Sequence, residues 1–376
     1  MSRLIRFFVS PLVLFLYLTA LIVPSAAAYP SISGECACAY IPALDRFVYE
    51  KKADKRHPMA STTKIMTALV VLEKTEPQEK IAVAPAATGI EGSSVYLKAG
   101  EVQTAENLLY AILLESANDA AAAMAIHIAG SIDGFAELMN ERAADLGLTD
   151  THFTNPHGLA DPAHYTTAAD LARIAAAAME NETFRTIVAT KKKVISAADG
   201  KTTRTLSNHN RLLSSYEDCI GIKTGFTKAS GRCLVSAAER DGMLLIAVTL
   251  DAPNDWHDHA AMLDYGFSQY GAYTPRDLQK LSLTIPVIGG TAAEVTLSAG
   301  HAPTLILEKA AEPPQLTWEV NRFAVAPIKR GDVLGLARYT QNGKTIATVP
   351  LLADASVAPI PRKDTIWDKI KSIWKN

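Results

Sequence analysis

Residues 221–250 read GIKTGFTKASGRCLVSAAERDGMLLIAVTL, and the fold turns on how that stretch divides. Residues 221–225, 232–240 and 243–250 are three strand-like segments with polar breaks between them. Asp241-Gly242 between the last two is a strong hairpin signal, because a two-residue turn needs positions that tolerate a positive φ. Three consecutive strands are expected, with a closing helix over residues 259–269. Upstream, residues 36–50 read as two short strands about the turn Pro42-Ala43-Leu44-Asp45-Arg46. The middle is different. Residues 61–72 place Ile65, Leu69 and Leu72 at i, i+4 and i+7, with Pro58 just ahead of the start. Further helices are expected at 105–114, 118–129, 135–146 (stopped by Gly147) and 167–180. Strands at both ends of a mostly helical block predict an α/β (α+β) domain over residues 29–270. Its sheet is assembled from the N- and C-terminal parts, with a helical insertion.

The remaining segments have other characters. Between 274 and 358, apolar runs at 281–287, 293–297, 304–307, 333–338 and 344–351 are punctuated by Gly and Pro, which predicts a small all-β domain, a β-sandwich. Pro359-Ile360-Pro361 reads as a stiff linker. Over 362–376, Ile366, Trp367, Ile370, Ile373 and Trp374 share one helical face, with Lys369, Lys371 and Lys375 off it. That pattern fits a helix lying in a membrane interface; the alternative is a helix docked on its own protein. At the other end, Arg3 and Arg6 precede an apolar run that leads into Ala26-Ala27-Ala28. Residues 1–28 thus form a secretory signal with a small-residue cleavage site, rather than an uncleaved anchor. The chain beyond it is expected outside the cytoplasm.

Composition narrows the function. The 376 residues are 48% hydrophobic and 20% charged, with a formal net charge of −2. Loss of Arg3 and Arg6, with no acid in residues 1–28, takes this to −4. Such a surface has no footprint for nucleic acid. Cys36, Cys38, Cys219 and Cys233 are even in number, so disulfides and buried thiols both stay open. No C-x-x-C pair supports a zinc site. His257-Asp258-His259 places two histidines at i and i+2, which do not face the same way on a helix. Asn254 or Asp255 is expected to cap that helix, and Lys191-Lys192-Lys193 to be a solvated loop. No metal or organic cofactor is called for.

Three short motifs carry chemistry. Ser61-Thr62-Thr63-Lys64 puts a hydroxyl and an amine on one helical face near the positive end of the dipole. A serine needs a base to become a nucleophile, and a lysine supplies one when burial or a nearby cation lowers its pKa. Ser116-Ala117-Asn118 lies at the junction of two expected helices, where the bland reading is capping. Lys223-Thr224-Gly225 lies on an expected strand. There it forms a cationic ledge with room for a substrate backbone, or a lysine guarding a sheet edge. Each motif alone is ordinary. S-x-x-K, then S-x-N, then K-T-G in that order is the set found, in related form, in penicillin-binding proteins and class A β-lactamases.

The chain resembles the D-alanyl-D-alanine carboxypeptidases, the penicillin-binding proteins of low molecular mass. The likeness extends to His57-Pro58-Met59-Ala60, Asn155-Pro156-His157-Gly158-Leu159, His164-Tyr165-Thr166-Thr167-Ala168, Phe226-Thr227 and Ile328-Lys329-Arg330-Gly331-Asp332. It implies Ser61 as nucleophile, Lys64 as base, Ser116 as proton relay and Asn118 as holder of the acyl-side amide. Lys223 and Thr224 would meet the substrate carboxylate, beside Gly225. The N–H groups of Ser61 and Phe226 would form the oxyanion hole. The expected partners are peptidoglycan stem peptides, β-lactams as covalent inhibitors, and a membrane surface through the tail. The expected place is the outer face of the cytoplasmic membrane. A β-lactamase of the same fold would need an extra glutamate, and the nearest look-alike, Glu137, has the wrong spacing. A wall-binding scaffold would need no activated serine, and an endopeptidase would use the same acyl-enzyme.

Overall fold

The computed structural model describes residues 28–300 and 303–361. The signal sequence, apart from Ala28, and the helix expected at 362–376 lie outside them. The chain divides into two compact units, with Tyr270 closing the first and Gly271 opening the second.

In the first unit the elements are β1 (Cys36–Ile41), β2 (Arg46–Lys51), α1 (Lys64–Lys74), β3 (Lys80–Ala82), β4 (Val102–Thr104), α2 (Ala105–Leu114), α3 (Asn118–Ala129), α4 (Ile132–Asp145), α5 (Ala168–Met179), α6 (Glu182–Ala189), β5 (Lys192–Ser196), β6 (Thr203–Ser207), α7 (Leu212–Ser215), β7 (Cys219–Thr227), β8 (Gly231–Arg240), β9 (Met243–Leu250) and α8 (Asp255–Gln269). The main sheet runs β2-β1-β9-β8-β7. All its pairings are antiparallel, and Cys36 is opposite Leu250. Every residue of β1 is buried, as are most of β8 and β9. That follows from helices on both faces: α8 packs on β8 and β9, and α5 on β1 and β9. Helix α1 is buried continuously from Lys64 to Val71, so it runs through the core instead of over it. Local caps set the helix starts. Thr104, Ser131, Thr167 and Asn181 each accept a backbone N–H in the first turn of α2, α4, α5 and α6.

Several expectations need correction. The closing helix starts at Asp255, earlier than expected, and Asn254 makes no side-chain cap. Asp255 instead pairs with Arg232 at 2.8 Å, and Asp258 accepts from the N–H groups of Ser33 and Gly34. Lys192 and Lys193 are strand residues of the β5–β6 hairpin, not loop. The Lys193 ammonium rests 4.4 Å from the Tyr110 ring centre, so the run has an aromatic partner. All four cysteines are buried thiols. His259 is a core residue between the Ser236 and Thr249 hydroxyls, at 2.6 and 3.0 Å.

In the second unit, after β10 (Tyr270–Tyr273), the strands are β11 (Ser282–Ile288), β12 (Glu294–Ala299), β13 (Leu305–Glu308), β14 (Gln315–Val320), β15 (Ala324–Val325), β16 (Val333–Gln341) and β17 (Lys344–Ala353). One six-stranded sheet, β14-β16-β17-β12-β11-β15, dominates this all-β unit. Only its β11–β15 contact is parallel. The core gathers Leu297, Tyr339, Leu351 and their neighbours, and the Tyr339 hydroxyl donates to Asp277 at 2.8 Å. The expected linker is partly zipped to this unit. Pro359 bridges Gly290, and the Ile360 N–H donates to the Gly289 carbonyl at 2.8 Å.

Candidate active site

Ser61 stands in a 3-10 turn, Ala60–Thr63, that leads directly into α1. Ala60, just before it, has φ 47°. This sparsely populated conformation is held from three sides. The Thr63 hydroxyl donates to the Ala60 carbonyl at 2.7 Å. His164 supports Thr63: its Nδ1 accepts from the Thr154 N–H at 3.1 Å, which leaves the hydrogen on Nε2, 2.8 Å from the Thr63 oxygen. Gly158 closes the third side. Its φ is +86°, and a Cβ there would stand 1.9 Å from the Ala60 oxygen, so only glycine lets the two backbones meet.

Lys64, fully buried, has three polar neighbours: Ser61 Oγ at 3.0 Å, Asn118 Oδ1 at 2.7 Å and the His157 carbonyl at 2.5 Å. The last two are pure acceptors. A neutral amine spends its two N–H bonds on them and keeps its lone pair for the Ser61 hydroxyl. Burial first, and the charge of Lys223 second, hold the Lys64 amine well below its ordinary range, which favours that neutral form. The acceptor at 157 is a backbone carbonyl, so no side-chain motif could have announced it. Asn155 shapes its loop by accepting from the Gly158 N–H at 2.7 Å.

Neither member of the second motif acts as a cap. Ala117 occupies the cap position of α3 without a side-chain bond. Asn118 Nδ2 donates to the Glu91 carbonyl, which turns its oxygen toward Lys64. Ser116, at φ 60°, has a buried hydroxyl with no hydrogen-bond partner among the described residues. A buried orphan of this kind is uncommon and marks a place where a ligand group would be welcomed.

Lys223 lies on β7, the outermost strand of its sheet, yet it is only 2% exposed. It does not guard an edge. Its ammonium donates to the Thr224 carbonyl at 3.0 Å, and burial brings its pKa down to about 7. Gly225 lets this strand close on the Ser61 turn, because a Cβ there would stand 3.0 Å from the Ser61 nitrogen. Ser61, Ser116, Thr224, Gly225 and Phe226 line one open cavity of about 390 Å³. Sequence reading missed Arg211, Arg232 and Trp256 on its wall. Arg232 was read only as a strand start, and its side chain is recruited by the Asp255 carboxylate. The β-lactamase look-alike, Glu137, is exposed on α4. No group of His, Cys, Asp and Glu among the described residues is placed to hold a metal ion.

Residues 25–254 match the model of the D-alanyl-D-alanine carboxypeptidase family. The chain belongs to that family. Residues 278–359 match the C-terminal domain of penicillin-binding protein 5, so the second unit too has relatives among these carboxypeptidases. The carboxypeptidase DacC of Escherichia coli is 32% identical over 93% of this chain and 90% of its own. DacF of Bacillus subtilis is 30% identical over 82% of each. The crystal structure of the carboxypeptidase DacD from Francisella tularensis superimposes with a TM-score of 0.64 at 26% identity, covering 89% of this chain and 96% of that one.

Proposed function

We propose that this chain removes the terminal D-alanine from peptidoglycan pentapeptide stems through an acyl-enzyme on Ser61. The observation that carries the reading is the Lys64 amine, buried and depressed in pKa, 3.0 Å from the Ser61 oxygen with its two other neighbours both acceptors. Lys64 takes the hydroxyl proton as Ser61 Oγ attacks the carbonyl between the two D-alanines. The resulting oxyanion is received by the N–H groups of Ser61 and Phe226, where β7 closes on the turn. The C–N bond breaks as Ser116 passes a proton to the leaving amine. Asn118 holds the acyl-side amide; Thr224 and Lys223 hold the terminal carboxylate. Water then attacks the ester, and Ser61 recovers its proton as the shortened stem departs.

The same reading places the enzyme outside the cytoplasm, with its C-terminal stripe on the membrane face. The signal at 1–28 and the pattern at 362–376 support it. A β-lactam mimics the acyl donor and would be trapped on Ser61. Intact-protein mass spectrometry of wild type and Ser61→Ala after penicillin treatment tests the nucleophile: a single adduct on wild type alone is expected, and equal labelling of both removes the assignment. Release of free D-alanine from a pentapeptide tests the reaction.

A further inference from the structure

We propose that one outer corner of the β unit, where the described chain ends, is a second lipid-contacting surface that faces an anionic membrane. The inference rests on the reading of the tail as an interfacial helix. The corner is built by pairing. β11 and β15 run parallel with Val287 opposite Ala324 and Ile288 opposite Val325. Side chains alternate along a strand, so Ala324 is turned into the core while Ile288 and Val325 share the outer face. Phe323 lies two residues ahead of Val325. The departing chain comes to the same place, because the Ile360 N–H bonds to the Gly289 carbonyl at 2.8 Å. Ile288, Phe323, Val325 and Ile360 are 52%, 50%, 60% and 61% exposed. A lone exposed apolar side chain is ordinary, but four large ones gathered at one corner mark a contact surface.

Chain length says what the contact is. Only Arg362, Lys363, Asp364 and Thr365 separate the described chain from Ile366, the first residue of the tail's apolar stripe. Four residues reach roughly 14 Å when fully extended. A stripe seated in an interface at Ile366 therefore keeps this corner within about 14 Å of the same surface, close enough for contact. The charge along these segments is net positive, since Arg362 and Lys363 outnumber Asp364 in the sequence. Arg322 adjoins Phe323 and is exposed, and Arg362 and Lys363 open the connection. Cations flanking an apolar patch are the pattern of binding to anionic lipid.

Flotation of the full mature chain with phosphatidylglycerol-containing vesicles, against pure phosphatidylcholine, tests this. Phe323→Ser with Val325→Ser should lower partitioning about tenfold. Trp367→Glu with Trp374→Glu should lower it about a hundredfold or more, leaving a weak phosphatidylglycerol-dependent residue that the corner substitutions abolish. Penicillin labelling at Ser61 and an unchanged melting temperature report folding in both variants. Wild-type partitioning of the corner variant, with loss in the tail variant, overturns the inference and leaves the tail reading standing. Tighter partitioning of the corner variant also overturns it, because the corner would then be the seat of the tail itself. Loss in the corner variant alone overturns the tail reading and leaves the corner as the lipid contact.

Discussion

The first unit hides what a protein normally exposes, and the second exposes what a protein normally hides. Lys64 and Lys223 are buried beside one cleft, with the Ser116 hydroxyl, unpartnered among the described residues, on its wall. Ile288 and Val325 stand open on a sheet face, with Phe323 exposed just ahead of the second strand. The two departures differ in kind. A buried amine is destabilising while it stays charged, and burial therefore makes it a base. An exposed phenyl ring costs the folded state little, but it offers apolar area to a partner. Reactivity is sited where polar groups are deprived of water, and adhesion where apolar groups are denied a core.

The largest expected effects lie in the first unit. Ser61→Ala should abolish penicillin acylation, on the order of 10⁶-fold. Lys64→Met should reduce it by about 10⁴-fold, measured as the second-order acylation rate. If Lys64→Met acylated normally, the buried amine would be a structural accident and the contrast would break. Gly158→Ala comes next. It combines a positive φ with a clash on the Ala60 carbonyl, so about 2–4 kcal/mol of stability should be lost in urea melts, with slower acylation through the displaced Ser61 turn.

Lys223→Met sharpens the contrast through pH. The folded pKa is brought down to about 7 from the ordinary 10.5, so between those values the unfolded chain binds more protons than the folded one. Wild-type stability therefore rises with pH across that window, and below about 7 the full penalty is present. The methionine variant should be more stable than wild type at pH 6, by on the order of a few kcal/mol, with the gap closing toward pH 10. Its acylation should nevertheless fall about 100-fold. A gap that widened with pH would refute the buried-cation account. The smallest effect belongs to the β unit: Phe323→Ser should shift stability by less than about 0.5 kcal/mol in a denaturant melt. A large loss there would mean that the ring is part of the core after all.

The three motifs were legible because each is a local spacing of side chains that bear chemistry. The strands at 232–240 and 243–250 were legible because Asp241-Gly242 separates two segments with apolar centres. Helix α6 was absorbed into a helical block without being resolved. The β5 strand was hidden by its lysines, and Tyr110, the aromatic partner of Lys193, is distant in sequence. Strand β14 was passed over although Leu316, Trp318 and Val320 alternate with polar residues along it, and none of its residues is fully buried. The missing parts of the site are of two sorts. The His157 carbonyl belongs to the backbone, which carries no sequence signal. The Thr154–His164–Thr63–Ala60 chain joins residues about a hundred positions apart, which no local pattern can register.

The sheet of the first unit joins its two ends, with Cys36 opposite Leu250. During synthesis β1 emerges some two hundred residues before β9, the strand that must cover its open side. Until then β1, apolar along its length and paired only with β2, is left with one open edge, the kind of edge that invites wrong partners. Loop closure over such a distance is slow, so assembly of the whole sheet waits on the last strands to appear. Ser61 and Lys64 are made early, but Lys223 arrives on that same late sheet. The cleft is thus completed only when the unit closes, and a half-made chain carries Ser61 and Lys64 without the strand that shuts them in.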